Sequence, residues 1–389
     1  MPRIETYKRV EQGELKAHIF ATDAPNGKLR AAIVLFHGGG WNSGQPEWVY
    51  SSARRFAERG MVAIAIQYRL ADEKAVTPLD AMADARDAIR WVRDNAGKLG
   101  VDVKRVAAYG VSAGGHLASA AATIDGKDDG KSLVSAKPDA LVLYSPAVAI
   151  ANSGWARKLL LGRAKPEEVS PDQLVRAGLP PTHITQGDED VVTPFSGARN
   201  FCRRMTDAGN ICGVRRYSGL GHLLTRKLDE QEFNFDPDTV ARADAWRAEE
   251  KFLVERGFID DAASKAAVGF DGPETVVRAQ LAAFNAHDVD AMVRLVADDL
   301  VWYNIKGDEM SVEAKGSDAL RKGMEGYFKS LPSAKSEIHT MVTNGNFVSV
   351  RERVTWKSKT GEDRSQNALA VYEVIEGKIK RVWYYPVQK

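Results

Sequence analysis

Three things are scarce in this chain, and each scarcity closes off a class of protein. Only two cysteines, Cys202 and Cys212, occur in 389 residues. That is too few for a disulfide framework, and neither has His or Cys neighbours at metal-ligand spacing, so both are expected to be reduced core residues. No window approaches about 18 uncharged apolar residues, and the opening Met1 to Val10 stretch (MPRIETYKRV) lacks the apolar run of a secretory signal. A soluble, cytoplasmic protein without a membrane partner is expected. Charge of one sign is missing as well: 54 Lys and Arg against 52 Asp and Glu leave +2. With no long basic run, nucleic acid is not an expected partner.

What is present is the makeup of a globular protein. Apolar residues at 44% and charged residues at 27% lie far from the disordered regime and can fill a real core. At roughly 100 to 200 residues per domain, the length predicts two or three domains.

From residue 14 to about 257, short apolar runs alternate with helical periodicity, the pattern of an α/β unit with a mostly parallel central sheet. The runs Ala31 to Phe36, Met61 to Gln67, Val103 to Tyr109, Ala140 to Tyr144 and Thr182 to Gln186 read as buried strands. Ala81, Ala85, Ile89, Val92, Ala96 and Leu99 recur at three- and four-residue steps and predict a helix, with Gly97 and Gly100 at its end. After Phe258 the segment IDDAASKAAVGFDGPE reads as a linker ending in a helix start at Pro273, which places a boundary near 265. Beyond it come helices over Glu274 to Asn285 and after Asp288, a strand near Leu300 to Ile305, a helix over Asp318 to Ser330, and then strands. Phe347 to Trp356 alternates, with Val348, Val350, Val354 and Trp356 on one face. Glu376-Gly377 is a hairpin signal. The expected division is 1–265 for an α/β domain and 266–389 for an α+β domain.

The chemistry gathers in the first domain. His37-Gly38-Gly39-Gly40-Trp41 follows the first strand, and three adjacent glycines let backbone N–H groups approach a ligand closely, as an oxyanion hole requires. Gly110-Val111-Ser112-Ala113-Gly114-Gly115 follows another strand and fits the G-x-S-x-G nucleophile elbow, whose small residues accommodate a strained strand-to-helix turn.

At these residues the chain resembles the α/β-hydrolase serine esterases, close to the hormone-sensitive-lipase-like and bacterial acetyl-esterase branches. Tyr68-Arg69-Leu70-Ala71 adds to the likeness, which spans about residues 10 to 257. The resemblance implies an α/β-hydrolase fold and the chain order Ser, acid, His. Of the seven histidines, only His222, in a Gly-flanked loop, follows the acid loop within this domain. In Gly187 to Pro194 (GDEDVVTP) the family pattern G-x-x-D-x-x-V-P selects Asp190, with Asp188 the alternative. Ser112 is then the nucleophile, His222 the base, and Asp190 the group that orients it. The N–H groups of Gly39, Gly40 and Ala113 form the oxyanion hole by resemblance. His37 and Trp41 are candidates for substrate binding, His37 also for bracing the glycine loop and Trp41 also for plain packing. The segment between Ser145 and Pro180 is short and charged, with Trp155 and Leu159 to Leu161 its apolar patch, which suits small soluble esters. No cofactor and no metal are expected.

Residues 273 to 389, through Phe284-Asn285-Ala286-His287-Asp288 and Ala297 to Trp302 (ADDLVW), resemble the SnoaL-like branch of the nuclear-transport-factor-2 (NTF2-like) superfamily. The resemblance implies a cone with an apolar pocket. Glu352 breaks the apolar face of its strand, so it is either a pocket acid or base with a raised pKa or a strand-end carboxylate reaching water. His287 reads as a helix-end residue and Tyr303 as pocket lining. The expected function is a serine carboxylesterase acting on small-molecule esters, with a C-terminal domain that binds ligand, shields the site or forms a homodimer. His-Gly-Gly-x-Trp also resembles the kynurenine formamidase pattern, which leaves amide cleavage as a variant. A SnoaL-type isomerase or cyclase with an accessory hydrolase is the rival from another class.

Overall fold

A computed structural model describes residues 2–22, 28–124, 134–231, 235–260, 272–344, 346–358, 360–375 and 377–387. The chain divides into two compact units, Met1–Val268 and Gly269–Lys389. The expected boundary at 265 and most of its linker lie outside the described residues.

The first unit runs β1 (Arg3–Val10), β2 (Gly13–Phe20), β3 (Arg30–Phe36), α1 (Tyr50–Glu58), β4 (Val62–Ile66), α2 (Pro78–Asp94), β5 (Val101–Val111), α3 (Ala113–Thr123), β6 (Ala140–Tyr144), α4 (Gly154–Leu159), β7 (Thr182–Gly187), α5 (Phe195–Asp207), β8 (Cys212–Tyr217) and α6 (Thr239–Glu255). One sheet of eight strands results, in the order β1-β2-β4-β3-β5-β6-β7-β8. From β4 to β8 every neighbour is parallel, and the β1–β2 hairpin joins antiparallel at the edge. The central strands are buried along their whole length because helices cover both faces, so β3, β4 and β6 read as unbroken apolar runs. Strand β1 (RIETYKRV) faces solvent on much of its length and alternates imperfectly, which hides it from a pattern tuned to buried strands.

Helix α2 starts as its sequence requires: Thr77 and Asp80 form a reciprocal capping box with Pro78 at the first position. Its buried stripe is Ala81, Ala85, Ile89 and Val92. A separate short turn, Ala96–Leu99, carries the chain to Gly100, which takes the left-handed conformation at φ 64°.

The cysteine expectation fails. Cys202 on α5 and Cys212 at the start of β8 are joined by a disulfide, their Cα atoms 5.3 Å apart. Gly209, at φ 79°, turns the chain back after α5, which lays the helix beside the strand entry. A count of two excludes a framework but not a single bridge across a tight return.

The second unit runs α7 (Gly272–Ala286), α8 (Val289–Arg294), β9 (Val296–Lys306), β10 (Glu309–Lys315), α9 (Ser317–Ser330), β11 (Lys335–Asn344), β12 (Phe347–Lys357), β13 (Asp363–Ile375) and β14 (Lys378–Pro386). Its six-stranded sheet has the order β10-β9-β14-β13-β12-β11, antiparallel except where β9 meets β14. Strands β13 and β14 pair across the expected hairpin, whose Glu376 lies outside the described residues. Helix α7 packs Val276, Val277 and Leu281 against Val348, Val350, Ala370 and Val382 of the sheet's inner face.

Two readings of this unit change. Glu352 does not reach water: it is 3% exposed, accepts a hydrogen bond from Ser336 Oγ, and burial raises its pKa against that bond. Tyr303 does not line the inner face. Its neighbour Trp302 packs with the core, and Tyr303 stacks on Trp383 on the other side. Because side chains alternate along a strand, a one-residue difference decides the face. His287 follows α7, as expected of a helix-end residue; its Nε2 lies 2.8 Å from Ala334 O and its ring stacks on Phe328.

Candidate active site

Strand β5 ends at Val111, and α3 begins at Ala113. Between them Ser112 is held at φ 52°, ψ −117°, a backbone region costing a non-glycine residue about 1–3 kcal/mol. Surrounding bonds hold it there: Ser112 N donates to Tyr144 O at 3.0 Å, and Ser112 O accepts from Ala147 N at 3.1 Å and His116 N at 3.2 Å. The elbow's small residues have a geometric cause. A Cβ on Gly114 would stand 2.2 Å from Phe36 O, where α3 crosses the end of β3.

The loop after β3 lies on one side of Ser112. Gly39 and Gly40 have φ of 112° and 58°, and among the described residues neither N–H donates a hydrogen bond. A Cβ on Gly40 would meet Trp155 Nε1 at 3.2 Å, and Trp155 Nε1 donates to Gly40 O at 3.0 Å. Helix α4 of the covering segment therefore grips the loop directly. In the same segment Leu159 and Leu160 are buried in the core, which leaves Trp155 and Leu161 as its exposed apolar side chains.

His37 and Trp41 do not face an open pocket. His37 is 1% exposed, with Nδ1 2.6 Å from Gly38 O, and Tyr68 stacks on its ring and donates to its carbonyl. Burial lowers its pKa to about 4, so it is neutral at pH 7. Trp41 is 4% exposed and donates from Nε1 to His116 Nδ1 at 3.2 Å. Burial and these bonds favour the bracing reading of His37 and the packing reading of Trp41 over substrate binding. Arg69, next to Tyr68, is locked to Asp84 through Nε and Nη2 at 2.8 Å each, which explains the Tyr68-Arg69 pair as a brace.

The histidine arrives from the opposite side. His222 Nε2 lies 3.1 Å from Ser112 Oγ, and its Nδ1 lies 2.8 Å from Asp190 Oδ2. Both His222 and Asp190 are buried. Asp190 is saturated with donors: Val192 N and Thr193 N bond Oδ1, while Gln186 Nε2 and Thr193 Oγ1 approach Oδ2. Asp188, the alternative acid, points elsewhere; it ties Arg216, Ser218 and Gly219 N together and lies outside this cluster. Leu223 and Leu224, directly after the histidine, have φ of 55° and 61°, so His222 stands on a strained loop.

Sequence reasoning missed several supporting residues. Gln186 and Thr193 hold Asp190, Ser145 Oγ accepts from Leu223 N at 3.1 Å, and Trp155 holds the glycine loop. Thr193 left a faint signal, since it occupies the place that the family pattern fills with valine. Gln186 and Ser145 are ordinary polar residues at ordinary positions, and Trp155 shows in the sequence only as part of an apolar patch.

The strand order, the elbow and the glycine loop together are the architecture of an α/β hydrolase. Comparison with known proteins agrees. The BD-FAE family model matches residues 18–205, and the SnoaL-like domain model matches residues 277–382. An arylesterase from Saccharolobus solfataricus is 36% identical over 114 residues, 29% of this chain and 36% of its own length. A carboxylesterase from Mycobacterium tuberculosis is 37% identical over 94 residues, 24% and 28% of the two chains. This chain thus spans well under two thirds of these relatives. Among solved structures, a thermophilic esterase from Thermogutta terrifontis with propionate bound is 36% identical, with a TM-score of 0.60, covering 67% of this chain and 96% of that one. The same esterase with butyrate bound is 35% identical at the same TM-score, covering 67% and 95%. The chain belongs to the α/β-hydrolase esterases and carries a SnoaL-like domain at its C-terminal end. No helix among the described residues is long and apolar enough to cross a membrane.

Proposed function

We propose that this chain is a serine carboxylesterase that hydrolyses small carboxylic esters through an acyl-enzyme. The observation that carries the reading is the 3.1 Å approach of His222 Nε2 to Ser112 Oγ, with Asp190 on the other ring nitrogen. In the first half-reaction, Ser112 Oγ attacks the ester carbonyl as its proton passes to Nε2. The tetrahedral oxyanion takes hydrogen bonds from the N–H groups of Gly39, Gly40 and Ala113, each worth roughly 2.7–4 kcal/mol in the transition state. His222 then returns the proton to the leaving alkoxide, and the alcohol departs. Water, deprotonated by the same Nε2, attacks the acyl-enzyme and releases the carboxylic acid. Asp190 holds the imidazole tautomer and offsets its charge without taking the proton.

Short acyl groups are the proposed substrates. The covering segment is small and offers little exposed apolar surface beyond Trp155 and Leu161, and the Thermogutta esterase was solved with propionate and butyrate. The test is a chain-length series of p-nitrophenyl esters. Acetate to butyrate should turn over best, and Ser112→Ala should abolish the reaction. Turnover unchanged by that substitution would end the reading.

We infer further that the C-terminal unit pairs with a second copy of itself. One cross-strand row on the outer sheet face reads Val312, Tyr303, Trp383, Val371, Ser349, Val342. Phe347, Leu369 and Tyr385 lie exposed on the same face. Contiguous exposed apolar surface of this kind marks an interface, and such a face can meet its own two-fold copy. Light scattering should give twice the chain mass, and Leu369→Lys should give the monomer; a monomeric parent chain would refute it.

A further inference from the structure

Gln231 lies outside every motif, yet it joins the two loops that carry the acid and the base. Its side chain is 3% exposed. Oε1 accepts from His222 N at 2.9 Å and from Val191 N at 3.0 Å. Nε2 donates to Glu189 O at 3.1 Å and to Leu228 O at 3.0 Å. An amide offers two acceptor sites and two donors, and here all four are used. Two of the bonds go to the residues on either side of Asp190, and one goes to the backbone of His222 itself.

The connection matters because the base loop, though closed by bonds from Gly221 N to Thr225 O, Leu224 N to Gly221 O and Thr225 N to His222 O, is strained within. Leu223 and Leu224 sit in the left-handed region, which costs a branched residue energy that neighbours must supply. Gly221 is as close as it can be to the amide: a Cβ there would stand 2.8 Å from Gln231 Oε1. The acid loop has its own support from Gln186 and Thr193, and Glu189 N bonds Leu220 O at 3.0 Å. Of these ties, Gln231 alone contacts the histidine's own amide.

We infer that Gln231 is a positioning residue for the esterase site, setting the register between the Asp190 and His222 loops so that Nδ1 meets Oδ2. The kinetic consequence rests on the proposed esterase reaction; the geometric one does not. A register error of about an ångström at such a site costs about a hundredfold in rate while leaving binding largely intact.

Two variants test it in the full chain. In Gln231→Ala, kcat on p-nitrophenyl butyrate should fall tenfold or more with KM within about twofold. The low-field proton resonance of His222 Nδ1–H in the NMR spectrum should broaden or vanish. Gln231→Glu keeps the shape and the accepting oxygen, but turns a carboxylate oxygen toward the Glu189 and Leu228 carbonyls. Protonation restores one donor, so the ratio of variant to parent kcat should rise as pH falls from 8 to 6. The inference is overturned if Gln231→Ala retains the resonance and kcat within twofold of the parent, or if the Gln231→Glu ratio is flat with pH. A parent chain without esterase activity would defeat the functional reading and leave the resonance to decide the positioning one.

Discussion

Asp190 Oδ2 faces His222 Nδ1 at 2.8 Å while Gln186 Nε2 and Thr193 Oγ1 approach the same oxygen at 2.7 and 2.9 Å. A group in that position must accept from every side. In Asp190→Asn, the amide oxygen is retained by Val192 N and Thr193 N at the Oδ1 site, and the NH2 is turned toward the imidazole. The ring is then driven into the tautomer with its proton on Nε2, unable to take one from Ser112. We expect kcat to fall by a factor on the order of 10⁴, measured on p-nitrophenyl butyrate with folding checked by circular dichroism.

The glycine loop makes an independent prediction. At Gly39 the backbone has φ 112°, and a Cβ would stand 2.2 Å from Ser43 O, an oxygen fixed to the same chain turn. Gly39→Ala must move the loop, and the proposed oxyanion donors move with it. A fall in kcat by a factor of roughly 10² to 10³ is expected, the cost of one lost donor, with KM changing much less.

Behind the sheet, Glu249 on α6 is fully buried against Arg55 of α1, 2.5 Å from its Nη2. Burial pushes its pKa up from 4.5 to about 7 despite the pull of Arg55. A carboxyl with a higher pKa folded than unfolded binds its proton more tightly when folded. Its contribution is therefore fully present below about pH 4.5 and lost as pH rises through 7, about 3 kcal/mol in all. Glu249→Gln mimics the protonated form. Its melting temperature relative to the parent should rise between pH 5 and 8, and a constant difference would contradict the buried carboxyl.

The Cys202–Cys212 bridge spans ten positions of sequence, for which the chain-entropy account gives about 2.5–3 kcal/mol. Reduction by dithiothreitol, or Cys212→Ser, should lower the melting temperature of the hydrolase unit by roughly 5 to 10 °C. Ester turnover at 25 °C should survive, since neither cysteine contacts Ser112, Asp190 or His222.

The catalytic candidates were legible because their chemistry demands rare local patterns. Gly110, Gly114 and Gly115 leave no room for a Cβ, Gly114 because α3 crosses the end of β3 there, and chain order then leaves few choices for the other two residues. The buried strands β3, β4 and β6 were legible for a similar reason, being covered on both faces. What escaped was set by tertiary approach. Strand β1 is half solvated and lost among polar residues, Trp41 turned inward to a histidine 75 residues away, and Tyr303 falls on the outer face by one step of register. Gln231 and Ser145 act through backbone groups of other loops, so no spacing announces them. Glu352 was noticed as a break in an apolar face, yet only tertiary structure, with Ser336 of β11 bonded to it, decides that it is buried.

Everything proposed for the site depends on Ser112 as the nucleophile of an ester hydrolase. The most direct measurement is to react the full chain with a fluorophosphonate and locate the adduct by peptide mass spectrometry while following p-nitrophenyl butyrate turnover. The account predicts one adduct per chain, on Ser112, appearing in step with the loss of turnover, and no labelling in Ser112→Ala or at a low rate in Asp190→Asn. Turnover that persists in a fully labelled chain, or an adduct elsewhere with Ser112 unmodified, would contradict it.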